Sequence, residues 1–334
     1  MVVVLVVGIV LYRSIVKPLP EDIASLPSIT LHIPRGASFQ QVVDSLKTHQ
    51  LVNHPRLFQF FARHTGLDRR IPAGYFKVPL GFNEWQLVQY LERPQKVFIK
   101  ITIPEGLRTE RIAALLRRHL PIDSARFVEL VRDSIFSRRL GVPATTAEGF
   151  LMPETYFISP DMSEAEIIQT LVKPTLAIFK ADSVQQQLQY LNMTPFQIII
   201  LASIIEGEAM VDSERVIIAS VYYNRLKRGM PLQADPTIQY LIPDGPRRLR
   251  YRDLQIDSPY NTYRYRGLPP GPINNPGKQS ILAAIFPART RYLYFVATGD
   301  GGHHFSRTLR EHNRWKRKLD ALRRKIAQQK RSHH

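Results

Sequence analysis

The sequence predicts an α+β fold divided into two or three domains, and three observations carry that reading. The chain has 334 residues, more than one typical domain needs. A strand-then-helix unit recurs: residues 29–36 read ITLHIPRG and residues 99–106 read IKITIPEG, each an alternating run that ends in Ile-Pro-x-Gly and leads into an amphipathic helix. Finally, residues 196–205 are apolar on every side apart from Gln197 and Ser203, the signature of a helix buried all round. A composition that is 44% hydrophobic supplies the cores such domains need.

Taken in order, residues 1–16 (MVVVLVVGIVLYRSIV) are strongly apolar and interrupted by Arg13. A spanning helix wants about 20 apolar residues, and a signal peptide ends in a small-residue cleavage site that is not seen here. The run reads as a shortened transmembrane signal-anchor, with an N-terminal strand or a signal peptide as the alternative. Arg13 and Lys17 follow it, which a further basic head upstream would balance. Residues 17–27 form a Pro-rich linker. In residues 28–96, Ser38 with Gln41 caps a helix over 39–48, a second helix covers 54–65, and a strand over 75–78 follows the motif echo Ile71-Pro72-Ala73-Gly74. Asn83 with Gln86 then caps a helix reaching Arg93. Small β-α-α-β modules bind or pack, and nothing in this one looks catalytic.

Residues 109–140 are helical and basic, EGFLMPETYFI (148–158) breaks the pattern, and 163–191 are helical again. Thr194, Pro195 and Gln197 give a capping box with proline at the first helical position. The buried helix that follows ends in Glu206 and Glu208, separated by Gly207. A carboxylate there is costly unless paired, protonated or used. Helical spacing puts both side chains on apolar stripes and does not choose between them; an ion pair with Arg215 or Arg225 is the plain structural alternative. Gly207 fits a close backbone approach or an imminent helix end. A second helix, capped by Asp212 or Ser213, runs from Val216 to Leu226 and stops at Gly229; Gln233, Asp235, Pro236, Thr237 and Tyr240 then line a loop and a helix start. Residues 260–277, YNTYRYRGLPPGPINNPG, form a rigid irregular loop of the functional kind. Residues 292–297 read as a buried strand and GDGGHHF as a tight turn carrying His303 and His304. The tail after Arg307 is a basic amphipathic helix.

The absence of cysteine excludes a disulfide framework, thiolate metal sites and thiol catalysis. The net charge of +18, from 46 Lys+Arg against 28 Asp+Glu, fits an anionic polymer, an anionic membrane surface or nucleic acid. No helix-turn-helix, RNA-binding aromatic motif or zinc finger supports the last, so no nucleic-acid partner is expected. His303, His304 and His312 match no zinc spacing, and neither a metal nor a cofactor is expected.

Several motifs in one order carry a resemblance: EGFLMPETY, ASIIEGEA, SER, YYNRLKRGMPLQADPTIQY, SPYNTYRYRGLPPGPINNPG, PARTRYLYFVATGDGGHHF and EHN. Together they resemble the YceG-like family of membrane-anchored endolytic murein transglycosylases, from about residue 29 to 313. The resemblance implies a LysM-like subdomain over 28–96, a mixed α+β catalytic domain over 97–313 whose buried helix carries the catalytic glutamate, and a basic tail over 314–334. It implies a lyase that cuts peptidoglycan within its strands at the MurNAc–GlcNAc bond, leaving 1,6-anhydro-MurNAc ends and terminating strand growth. It places the domain outside the bacterial cytoplasmic membrane, with peptidoglycan polymerases as partners. The first Glu of the ASI-x-E motif, Glu206, is the implied catalytic residue. Glu208 matches a second recurrent carboxylate of the motif, with a supporting role implied, and Gln233, Asp235, Thr237, Tyr260, Asn261, Tyr263 and His303 match signature positions near the cleft. His304 stands where the family more often has threonine.

A lytic cut needs one carboxyl to act twice. It donates a proton to the leaving glycosidic oxygen, then takes one from the sugar's own C6 hydroxyl as the anhydro ring closes. An apolar setting would keep Glu206 protonated for the first step. A hydrolytic muramidase would instead recruit Asp235 or Glu208 as a second carboxylate. A non-catalytic glycan-binding scaffold would bind sacculi and release nothing.

Overall fold

The computed structural model describes residues 17–332, apart from 244 and 300. The anchor assigned to residues 1–16 lies outside the described residues. Among those described, no single helix is long and apolar enough to cross a membrane. The described residues form two compact units, one of residues 17–100 with 157–162, the other of 101–156 with 163–332.

In the first unit, β1 (Ser28–Ile33) runs antiparallel to β2 (Gly74–Pro79), with Ser28 opposite Pro79 and Ile33 opposite Gly74. Alternation sorts their side chains: Leu31, Ile33, Phe76 and Val78 point inward while Thr30, His32 and Lys77 face water. Helices α1 (Phe39–Thr48), α2 (Pro55–Thr65) and α3 (Glu84–Glu92) close over the inward face. Val42, Leu46, Phe58, Leu87 and Leu91 complete a core belonging wholly to this unit. The capping boxes read from Ser38–Gln41 and Asn83–Gln86 both form. Glu84 adds a third cap across the unit, its Oε1 accepting from the N–H groups of Asn53 (3.2 Å) and His54 (2.7 Å) at the start of α2.

The second unit takes in helices α4 (Thr109–Arg117), α5 (Ser124–Arg132), α6 (Ser134–Arg139), α7 (Glu164–Phe179) and α8 (Asp182–Leu191) before reaching α9 (Pro195–Glu208). Strands β3 (Ile99–Thr102) and β4 (Thr155–Ile158) pair. The motif read as a simple break, EGFLMPETYFI, therefore ends in a strand. Helix α9 is the unit's axis. Every residue from Ile198 to Ile205 is buried, and it packs against α10 (Arg215–Lys227), α11 (Asp235–Leu241) and α12 (Lys278–Ile285). Its capping box forms as the sequence predicts, Thr194 Oγ1 accepting from the Gln197 N–H.

Two expectations change beyond the helices. The buried strand expected over 292–297 is shorter and half-buried: β5 (Tyr294–Ala297) pairs, among the described residues, with β6 (His303–Ser306), Ala297 opposite His303. The histidines thus sit on a strand rather than in the turn, and the turn is left to the glycines before them. Helix α13 (Leu309–Ser332), in the basic tail after Arg307, lies on this hairpin. One face of a helix otherwise rich in basic residues is buried there, with Leu319 in the core.

Candidate active site

Glu206 and Glu208, at the last turn of α9, have different partners. Helix α10 is entered through a 3-10 turn, Asp212–Glu214, which brings Arg215 into the interior. Its guanidinium Nη1 lies 3.2 Å from Glu206 Oε1, and that side chain is only 7% exposed. The Gly277 N–H donates to Glu206 Oε2 at 2.9 Å. Arg215 also holds Asp212 (3.0 Å), Glu105 (3.6 Å) and the Ser280 hydroxyl. Glu206 is thus a buried, charge-paired strut between α10 and the loop before α12. The apolar setting expected for it is not what surrounds its carboxylate.

Glu208 opens instead into a cavity of about 500 Å³. Gln233, Asp235, Tyr263 and His303 line the same space. The Tyr222 hydroxyl donates to Glu208 Oε1 at 2.9 Å. Burial, the largest influence, pushes the Glu208 carboxyl up from the ordinary 4.5 to about 7; the Tyr222 bond opposes the rise, and the nearby Asp235 charge adds to it. Tyr263 donates its hydroxyl to Asp235 Oδ1, fixing that carboxylate at the start of α11. His303 is held from outside the cavity by Glu214: the carboxylate accepts from the His303 backbone N–H at 2.8 Å and meets its Nδ1 at 2.7 Å. The strand β6 and the 3-10 turn are thereby tied together around the imidazole.

Glu206, the implied catalytic residue, and Asn261, Thr237 and Tyr260, matched to the cleft, do not line this cavity. Asn261 is fully buried, its Nδ2 donating to the carbonyls of Leu254 (3.0 Å) and Ile256 (2.7 Å) while its Oδ1 accepts from the Tyr263 N–H (3.0 Å). It shapes the loop that presents Tyr263. Thr237 is equally buried, donating to the Ala234 carbonyl at 2.7 Å and sharing a hydrogen bond with Thr262 at 2.9 Å. Tyr260 packs on Tyr240, ring centroids 4.8 Å apart, with Arg108 over the Tyr240 ring at 4.5 Å. A polar residue in a signature loop can serve the loop's own backbone, and for Asn261 and Thr237 it does.

The cavity also contains residues that sequence reasoning missed: Arg225 from α10, and His312, Lys316 and Asp320 from α13. Arg225 is buried and spends its donors on the carbonyls of Leu293 (2.7 Å) and Leu232 (2.7 Å), so it binds the hairpin to α10 as much as it charges the cavity. Helical spacing could have grouped Tyr222 with Arg225 on one face of α10. His312, Lys316 and Asp320 also recur at helical spacing, but only the packing of α13 on the hairpin brings them to Glu208.

A YceG-like family matches residues 31–318 of the chain. Over 331 residues the sequence is 33% identical to the endolytic murein transglycosylase of Bacillus subtilis, covering 93% of this chain and 90% of that protein. It is 28% identical to the endolytic murein transglycosylase of Streptococcus pneumoniae serotype 2, covering 89% of this chain and 59% of that longer protein. A crystal structure of a yceG-like protein from Listeria monocytogenes is similar at a TM-score of 0.59 and 33% identity, over 86% of this chain and 98% of that one.

Proposed function

We infer that Glu208 carries the chemistry, from the premise that this chain belongs to the YceG-like family and is an endolytic murein transglycosylase, a lyase acting on glycan strands. The observation that carries the assignment is the contrast between the two glutamates: Glu206 is paired with Arg215, whereas Glu208 faces a cavity with its carboxyl pushed up to about 7. Near neutral pH, roughly half of the Glu208 carboxyls hold a proton. The protonated acid donates to the glycosidic oxygen between MurNAc and GlcNAc, the bond to the anomeric carbon breaks, and positive charge spreads over that carbon and the ring oxygen. The Glu208 carboxylate then takes the proton of the C6 hydroxyl as that oxygen closes onto the anomeric carbon. The product is a 1,6-anhydro-MurNAc end, and no water is consumed. Asp235, held by Tyr263, supplies negative charge for the cationic stage, while Gln233 and His303 offer hydrogen bonds to the sugars.

The test is digestion of purified sacculi with mass analysis of the products. Glu208→Gln abolishes anhydro ends. Glu206→Gln retains them but lowers stability by roughly 1–3 kcal/mol, because it strips the buried Arg215 of one partner while Asp212 and Glu105 remain. The reverse pattern would return the acid's role to Glu206. Reducing ends in place of anhydro ends would mean that Asp235, in the same cavity as Glu208, activates water.

The cell envelope is where such an enzyme meets its substrate. In this reading residues 1–16 anchor the chain in the cytoplasmic membrane with the catalytic unit outside, the β-α-α-β module holds glycan in the LysM manner, and cutting beside a polymerase ends a growing strand. Membrane fractionation of the full chain beside one lacking residues 1–16 tests the anchor.

A further inference from the structure

Another cavity of the second unit, about 640 Å³, does not include Glu208. Lys227, Arg289, Arg291 and Arg307 contribute to its wall, and no acidic residue does. Among the described residues, Lys227, Arg289 and Arg291 form no ion pair. Four like charges around one concavity repel each other, and low-dielectric walls concentrate their field, so an anion entering the groove relieves an existing cost. Arginine's planar fork suits the two oxygens of a carboxylate.

The floor beneath these cations is rigid. Ser220 and Thr290 share a hydrogen bond at 2.8 Å, and Asn224 donates to the carbonyls of Thr290 (3.0 Å) and Tyr292 (2.9 Å). These bonds tie the segment bearing Arg289 and Arg291 to α10. Tyr190 stands at the rim, 72% exposed, with an aromatic face free for stacking. Ser220, Asn224 and Lys227 recur at helical spacing along one side of α10, whereas Tyr222 and Arg225, the residues that serve the catalytic cavity, lie on the other. A ligand in this groove is therefore separated from Glu208 by the thickness of a helix.

We propose that the groove is a second, non-catalytic site that binds the carboxylate-bearing peptides of murein, gripping the polymer away from the bond being cut. The proposal rests on the murein-cutting reading above, because the peptides give that polymer its anionic groups while the sugar ring positions supply neutral hydroxyls. The test is equilibrium binding of the full chain to a soluble murein tetrapeptide with free carboxylates, beside the same peptide with its carboxylates amidated and beside inorganic polyphosphate. The free-acid peptide binds and the amidated one does not. The Arg289→Ala/Arg291→Ala double variant loses about tenfold or more in affinity for it, the scale set by losing a pair of charge-assisted contacts. Cleavage of peptide-free glycan by that double variant stays at the wild-type rate. Equal binding of the two peptides, unchanged affinity in the double variant, or tighter binding of polyphosphate than of peptide overturns the assignment. Failure of the wild type to cut sacculi would count against the catalytic reading alone, since peptide binding is measured without turnover.

Discussion

Two residues apart on one helix end, Glu206 and Glu208 show how little sequence spacing says about a carboxylate's role. Both stack on apolar stripes of α9, and the difference between them is made by Arg215, which enters from another helix. The ion pair was legible as an alternative, since Arg215 follows closely in the chain, but which glutamate it would take was not. The raised Glu208 carboxyl has two consequences whose signs can be worked out. If Glu208 is the acid proposed above, the first transfer needs its protonated form, and kcat is expected to fall as pH rises through about 7. Stability follows the same group by linkage. Between the ordinary carboxyl value of 4.5 and about 7, the folded chain holds a proton that the unfolded chain has released, so wild-type stability declines as pH rises across that window. Glu208→Gln has no such proton to lose, and its side-chain carbonyl still accepts from Tyr222. Thermal unfolding at pH 8 is expected to show the variant more stable by about 1–3 kcal/mol, with the gap closing at pH 5. A gap of equal size at both pH values would mean the Glu208 carboxyl is not the titrating group.

At the scale of elements, what could be read ahead of time was local: capping boxes at Ser38, Asn83 and Thr194, the all-round apolar α9, and the irregular loop after Tyr260. Those features depend on neighbours within a few residues, so the sequence displays them. What stayed hidden depends on packing between distant segments: the β5–β6 hairpin that carries His303, and α13 delivering Lys316 to the cavity that Glu208 faces. Gly207 bridges the two cases. Its presence between the glutamates announced a close approach or a helix end, and the structure has both, with α9 ending at Glu208 and Pro236 of α11 lying against the glycine. A methyl group there would sit 2.5 Å from Pro236 Cβ and 2.8 Å from its Cγ. Gly207→Ala gains about 1 kcal/mol of helix propensity and loses about 1–3 kcal/mol to overpacking. Its larger effect is geometric, because α9 and α11 must part, and they carry Glu208 and Asp235. Activity on sacculi falls roughly tenfold or more while the circular dichroism spectrum is retained. A variant with wild-type kcat would show that the spacing of the two helices is not critical to the acid.

For the whole molecule, the division into two units is a statement about cores. Leu31, Leu46, Phe58, Phe76 and Leu91 pack within the first unit, and the cavity that Glu208 faces is lined by residues of the second. The sequence hinted at this through the recurring Ile-Pro-x-Gly units, yet the segment 157–162, which belongs with the first unit, carries no mark that assigns it there. Leu46 offers a way to separate the units energetically. It is fully buried, it lies on α1, and Leu46→Ala leaves a cavity costing about 2–5 kcal/mol. If each core holds its own unit together, calorimetry shows one transition moving down by several degrees and another unmoved. The pH dependence of kcat on short soluble glycan also stays in place, because nothing around Glu208 has been touched. Binding to intact sacculi weakens at temperatures between the two transitions, where the first unit has melted and the acid still stands in its cavity. A single transition that shifts as a whole, together with a displaced pH profile, would mean that the two cores fold as one and that damage to either reaches the catalytic carboxyl.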